Sequence, residues 1–161
     1  SPANTPYPSL SVEGTPIEIY FSPDDGTAQE LVQLILGAQQ SVYFMAYSFT
    51  SDDIASAMLA RARTGVSVAG VFEESQYRNN EGTEFDRLLE NGLDVRLDGN
   101  SRSMHHKVII IDEQIVITGS YNFSNNAETR NDENTLVIHS AEIAELYMEE
   151  FERVYAQAQT K

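Results

Sequence analysis

The chain has 161 residues, 41% of them hydrophobic, which suffices for one domain with a sizeable core and falls short of two. It contains no cysteine, which excludes a disulfide framework and a thiolate metal site and fits either an oxidising or a reducing compartment. Ten basic against 25 acidic residues give a net charge of −15, the opposite of what a nonspecific nucleic-acid binder is expected to carry.

In chain order, Pro2, Pro6 and Pro8 stand among serine, threonine and asparagine without apolar periodicity. Residues 1–15 therefore read as a linker or tail, and suggest further domains on the N-terminal side. Residues 16–161 read as a single domain. No stretch approaches the roughly 18 apolar residues of a membrane span, and no basic-then-apolar signal segment is present. A secreted or periplasmic location is favoured if such a segment has been removed by processing.

Ile17 to Phe21 alternates and is predicted as the first strand, ending at Ser22-Pro23. Leu31, Leu34, Ile35 and Ala38 recur at helical spacing, so Thr27 to Ala38 is predicted as a helix, with Asp24 and Asp25 as capping candidates. Ser41 to Tyr47 is apolar and aromatic without alternation, as expected of a strand covered on both faces. Ser51-Asp52-Asp53 caps a helix running to Arg63, and Val66 to Phe72 gives the third strand. Strand, helix, strand, helix, strand implies right-handed crossovers and parallel pairing. Glu73 to Glu81 is acidic and polar and reads as a loop, followed by a helix from Thr83 to Glu90 and a strand from Leu93 to Leu97. Asp98 to Ser103 is a turn-rich link, in which Arg102 reads as a surface arginine although it stands close enough in sequence to receive an anionic substrate.

Lys107 to Asp112 and Ile115 to Gly119 are β-branched runs separated by Glu113-Gln114, hence two adjacent strands with a tight connection. Alternation puts His105 and Lys107 on one face and His106 and Asp112 on the other, and pairs Ser120 with Asn122. Two such strands ending together would bring an imidazole, an ammonium, a hydroxyl and a carboxamide to one spot. That set suits a phosphodiester: lysine and asparagine donate to non-bridging oxygens, Gly119 allows close backbone approach, and imidazole serves as nucleophile or proton carrier. His106 and His139 read as packed or surface residues. Asp112, of opposite parity and at a strand end, reads as a structural carboxylate that fixes the connection. Ser124 to Ala127 suits a capped turn, Thr135 to Ile138 a strand beside the motif strands, and Ala141 to Ala156 a helix with an apolar stripe for the core. Tyr47, Phe49, Tyr121 and Phe123 border the motif and read as core aromatics rather than base-stacking platforms.

The pattern His105-x-Lys107-x4-Asp112-x6-Gly119-Ser120-x-Asn122 resembles the HKD motif of the phospholipase D superfamily, with all its positions filled. The run from Glu128 to Asn134 and the segment Met45 to Thr50 resemble the small single-motif bacterial endonucleases of that superfamily, and the likeness spans roughly residues 16 to 156. It implies an α/β fold with a mixed, largely parallel β-sheet flanked by helices on both faces. It also implies a phosphodiesterase in which His105, Lys107, Asn122, Ser120 and Glu133 are catalytic, Glu133 orienting the histidine. No cofactor and no metal are expected, since His105 and His106 are adjacent rather than at ligand spacing on one face.

In-line displacement needs a nucleophile and an acid on opposite sides of phosphorus, and one imidazole cannot be both. With one motif copy and His106 on the opposite face, the second imidazole is expected from a second chain in a homodimer. The expected function is an endonuclease acting on DNA or RNA through a phosphohistidine. A phospholipase D-type hydrolase of phospholipids is the enzyme alternative. A non-catalytic nucleic-acid-binding module of a larger protein is the other. The charge counts against a DNA partner and penalises a phospholipid substrate less, but screening at about 8 Å lets a local basic site act inside an acidic surface.

Overall fold

The computed structural model describes Thr5 and residues 8–161. Their strands are β1 (Ser9–Val12), β2 (Thr15–Ser22), β3 (Ser41–Ala46), β4 (Ser67–Phe72), β5 (Asp94–Leu97), β6 (Lys107–Ile111), β7 (Ile115–Gly119) and β8 (Glu133–His139). Their helices are α1 (Thr27–Leu36), α2 (Asp52–Ala62), α3 (Glu74–Asn79), α4 (Phe85–Glu90), α5 (Asn125–Thr129) and α6 (Ala141–Gln157). One eight-stranded sheet runs in the order β1-β2-β8-β7-β6-β3-β4-β5.

The expected mixed α/β sheet is present, with a different distribution of directions. Strands β2, β3, β4, β5 and β7 run one way, but β1, β6 and β8 are interleaved against them, so the parallel neighbours are β3–β4 and β4–β5. The crossover after α1 skips three strand positions, because the hairpin β6–β7 and strand β8 return later to fill the centre. Alternation that places helices on both faces does not specify which strands become neighbours.

Alternate residues of the central strands feed two cores. Phe44, Ile109 and Ile117 pack under α1, α2 and α4 through Leu31, Ile35, Met58 and Leu88. Met45, Val108, Ile110 and Val116 face α6 through Ala144, Phe151 and Val154. Each such fully buried side chain contributes about 1.5–3 kcal/mol. Phe49 and Phe123 lie in the first core with ring centroids 5.6 Å apart, as their core reading anticipated.

Three local expectations change. Of the expected tail, residues 1–4, 6 and 7 lie outside the described residues, but Ser9–Val12 form an edge strand on β2. The cause is a two-residue hairpin at Glu13-Gly14, both at positive φ (50° and 85°), with Val12 opposite Thr15, the left-handed geometry that such a turn requires. The expected loop from Glu73 to Glu81 contains α3, whose Glu74 and Arg78 pair across one turn and whose Tyr77 packs on Phe85. Neither Asp24 nor Asp25 caps α1, whose N-cap position is held by Gly26. Asp25 accepts instead from the backbone N–H of Phe21, and the Ala28 N–H at the helix start donates to Glu128 of α5, a hundred positions away. Ser51, by contrast, caps α2 as read, accepting from Ile54 N–H.

Candidate active site

The site lies where β7 ends and β6 and β8 begin. Lys107 is the first residue of β6, and its Nζ stands 3.0 Å from His105 Nδ1 while donating to the His105 carbonyl at 2.9 Å. The Tyr47 N–H donates to the His106 carbonyl, which extends the β3–β6 pairing by one step past β3. That step lays the Tyr47 ring against His105, centroids 4.4 Å apart, with Lys107 Nζ 5.0 Å from the same ring. Gln76 of α3 donates to the Tyr47 hydroxyl at 3.2 Å and so holds that ring from behind. The His105 side chain itself is exposed.

The loop that carries His105 is fixed from beneath. Glu73, buried at the end of β4, accepts from the Met104 N–H at 2.6 Å. Asp98, also buried, accepts from the N–H groups of Glu74 and Asn100. Burial of the Asp98 carboxyl raises its pKa, and these two N–H groups oppose the rise.

Beside this, Gly119 ends β7 at φ +151°, and a Cβ there would lie 2.1 Å from the Asn134 carbonyl oxygen. Glycine therefore lets β7 and β8 close up where Ser120 meets Glu133. Ser120 Oγ donates to Glu133 and accepts from the Asn134 N–H at 3.1 Å. The other Glu133 oxygen accepts from Asn131 at 3.1 Å. Burial holds the Lys107 ammonium below the ordinary lysine range, and the Glu133 charge offsets part of that effect. Among the described residues the hydrogen bonds of Glu133 go to Ser120 and Asn131 rather than to His105. Ser120 spends its proton on Glu133, which makes it a brace for that carboxylate.

Asn122 sits on a segment joined to the one that carries Tyr47. Phe123 N–H donates to the Ser48 carbonyl, and Thr50 and Ser51 return the contact to the Phe123 carbonyl. The Oδ1 of Asn122 is buried without a hydrogen-bond partner among the described residues. An unpaired buried polar atom costs about 1–3 kcal/mol.

Asp112 is at the other end of β6. Its carboxylate accepts from the N–H groups of Gln39, Gln40 and Ser41 at 2.7–3.1 Å, and so ties the β6–β7 turn to the start of β3. Burial resists its ionisation, but the Ser41, Gln39 and Gln40 donors outweigh that and lower its pKa. His106 pairs with Glu150 of α6 and His139 with Glu18 of β2, both away from His105. Among the described residues no group of three or more histidine, aspartate or glutamate side chains is arranged to hold a metal ion.

Sequence reading missed Tyr47 as a site residue, and Glu73, Asp98 and Gln76 as its support. Tyr47 carried a weak signal, as an aromatic at the end of a buried strand. The other three carried none, because their partners are 24 to 31 positions distant.

Comparison with known proteins bears on the family and the fold. The family described as cardiolipin synthase, PLD-like domain, matches residues 31–155. A phospholipase D of Rickettsia prowazekii (strain Madrid E) is 34% identical over 80% of this chain and 62% of its own length. A mitochondrial cardiolipin hydrolase of Xenopus laevis is 36% identical over 82% of this chain and 62% of its own length. The chain thus spans about three fifths of these curated relatives. The crystal structure of Nuc from Salmonella typhimurium, a phospholipase D family member, superposes with a TM-score of 0.84 at 33% identity, covering 89% of this chain and 95% of Nuc. An eight-stranded mixed sheet flanked by helices, a histidine–lysine pair at the start of its central strand β6 and a matching family over most of the length place this chain in the phospholipase D superfamily.

Proposed function

We propose that this chain is a metal-independent phosphodiesterase that cleaves DNA or RNA as an endonuclease. The observation that carries the reading is the exposed His105 held between Lys107 and the Tyr47 ring, with Asn122, whose amide oxygen is buried without a partner among the described residues, on the neighbouring segment. His105 is the nucleophile, and the Lys107 ammonium and the Asn122 amide nitrogen are the donors carried beside it. The His105 imidazole attacks phosphorus, the P–N bond forms, and the bond to the leaving oxygen breaks as that oxygen takes a proton from a second imidazole. That second imidazole then removes a proton from water, whose attack releases the phosphate and regenerates His105. Lys107 and Asn122 bind the non-bridging oxygens, where charge grows in the transition state. Glu133, braced by Ser120, supplies negative charge beside this cationic group.

The second imidazole comes from a second copy of the chain. One sheet face supports this: Leu10, Val12, Ile17, Ile19, Phe21, Leu136 and Ile138 share the α6 side of β1, β2 and β8, while α6 itself lies over β3, β4, β6 and β7. Val12 and Phe21 are each 51% exposed. Phe21 pairs with Asn134, so this apolar face runs to the edge of the site. A two-fold contact across it brings two sites together.

A phospholipid substrate is the second reading, favoured by the names of the phospholipase D and cardiolipin hydrolase relatives. The same chemistry serves a headgroup diester. The test is plasmid nicking in excess EDTA at low salt, alongside release of headgroup from cardiolipin-containing vesicles, with solution mass measured on the same samples. Nicking by a dimer and its loss in His105→Ala support the nuclease. Headgroup release without nicking transfers the site to lipid, and a catalytically competent monomer overturns the shared-site mechanism.

A further inference from the structure

The ten cationic side chains divide sharply by what they touch. Five are ion-paired with carboxylates, and Arg61 is spent on the Ala38 carbonyl, to which it donates twice. Among the described residues this leaves Arg63, Arg102, Lys107 and Arg130 without a carboxylate ion pair. Arg63 follows α2 and precedes β4, at the end of the sheet away from the site. The other three are at the site end. Strands β5 and β7 run in the same direction, so the segments that follow them, 98–106 and 120–132, leave the same end of the sheet; the first crosses back over β4 and β3 to begin β6 beside β7. Arg102 stands three residues before His105, and Arg130 three residues before Glu133.

Both arginines are exposed, and both are carried on segments held by the backbone. Arg102 N–H donates to Asn100 Oδ1 in a turn anchored by Asp98. Arg130 closes α5, its N–H donating to the Asn126 carbonyl. In a chain with 25 acidic residues, a cation at the surface has many carboxylates available to neutralise it. Leaving two guanidinium groups unneutralised on the two loops that carry the site keeps their planar donor forks free for phosphate.

We propose that Arg102 and Arg130 hold the phosphates flanking the scissile one, so that the site grips a polynucleotide strand rather than an isolated diester. The assignment rests on the nuclease reading and gives it a substrate class. A strand presents a phosphate at every nucleotide step, which a single headgroup does not. Two contacts of this kind also reconcile strand binding with a net charge of −15, since a guanidinium–phosphate contact acts at hydrogen-bond range, well inside the roughly 8 Å over which the acidic surface is screened.

The test uses His105→Ala protein, which is to hold substrate without turnover, and a fluorescein-labelled short single-stranded oligonucleotide over a salt series. Adding R102Q or R130Q is expected to weaken binding about 5–10-fold each at low salt and to make the log–log salt slope shallower by about 0.7 per lost contact. Slopes unchanged from the parent overturn the assignment. So does an equal loss of binding to cardiolipin-containing phosphatidylcholine vesicles, which would make the arginines general anion contacts. Cleavage of the same oligonucleotide by wild type is scored separately. Cleavage with unchanged slopes keeps the nuclease and removes the arginine pair. Binding with the expected slopes but no cleavage keeps the pair and removes the nuclease. Circular dichroism melts of each variant confirm that the fold is retained.

Discussion

The two ends of β6 carry polar residues from the same motif and treat them in opposite ways. At the Asp112 end the carboxylate meets three backbone N–H groups and lies in a turn at φ 54°, so nothing is left for a ligand. At the Lys107 end the histidine is exposed, the ammonium is partly desolvated, and a nearby amide oxygen is unpartnered. One end spends its polar groups on the fold and the other withholds them. Motif membership therefore does not imply a shared role, and the hydrogen-bond partners of each member separate scaffold from chemistry.

Breaking the open end should cost activity with little stability. His105→Ala is expected to lower kcat at least about 10³-fold with an unchanged melting temperature, since the side chain is exposed; phosphodiester hydrolysis and thermal unfolding check both halves. Asn122→Ala should cost about 10²-fold in kcat while relieving an unpaired buried atom, so its stability should hold or rise slightly. Tyr47→Leu should lower kcat about 10-fold through loss of the ring that holds His105 and Lys107, whereas Tyr47→Phe, which loses the hydroxyl that accepts from Gln76, should recover most of it. Equal damage from both Tyr47 variants would show that the hydroxyl contact, not the ring, matters.

Breaking the closed end should do the reverse. Asp112→Ala leaves three N–H groups without their acceptor and should destabilise by about 2–3 kcal/mol in urea unfolding. The smallest effect concerns Glu84, buried at the start of α4. Burial and the hydrogen bond with Asp52 push its pKa up to about 7, against the opposing influence of Arg87. A carboxyl raised on folding favours the folded state when protonated. Its stabilisation is full below about pH 4.5 and is lost as pH rises through about 7. Glu84→Gln should flatten that decline, so wild type and variant converge at acid pH and the variant gains about 1 kcal/mol at pH 8, as read by urea midpoints at several pH values.

Much of the chain was legible because its signals are local. Strand alternation, the Ser51 cap and the amphipathic α6 depend on neighbours within a few residues, and strand periodicity alone assigns His105 and Lys107 to one face and His106 to the other. The β1 hairpin was local too, but the prolines before it masked the Glu13-Gly14 turn. The sheet order was not legible, since the same alternation of strands and helices permits β2 to pair with β3 or, as here, with β8.

By itself the sequence determined the residue types of the site and their spacing along two strands, because a period of two fixes which side chains share a face. The tertiary structure alone decided that Ser120 braces Glu133, that Glu73 and Asp98 hold the His105 loop, that Glu128 serves the start of α1, and that Tyr47 rather than Phe49 meets the histidine. Those contacts join residues 13 to 100 positions apart, where chain connectivity imposes no geometry and the packing of the sheet and its loops must supply it.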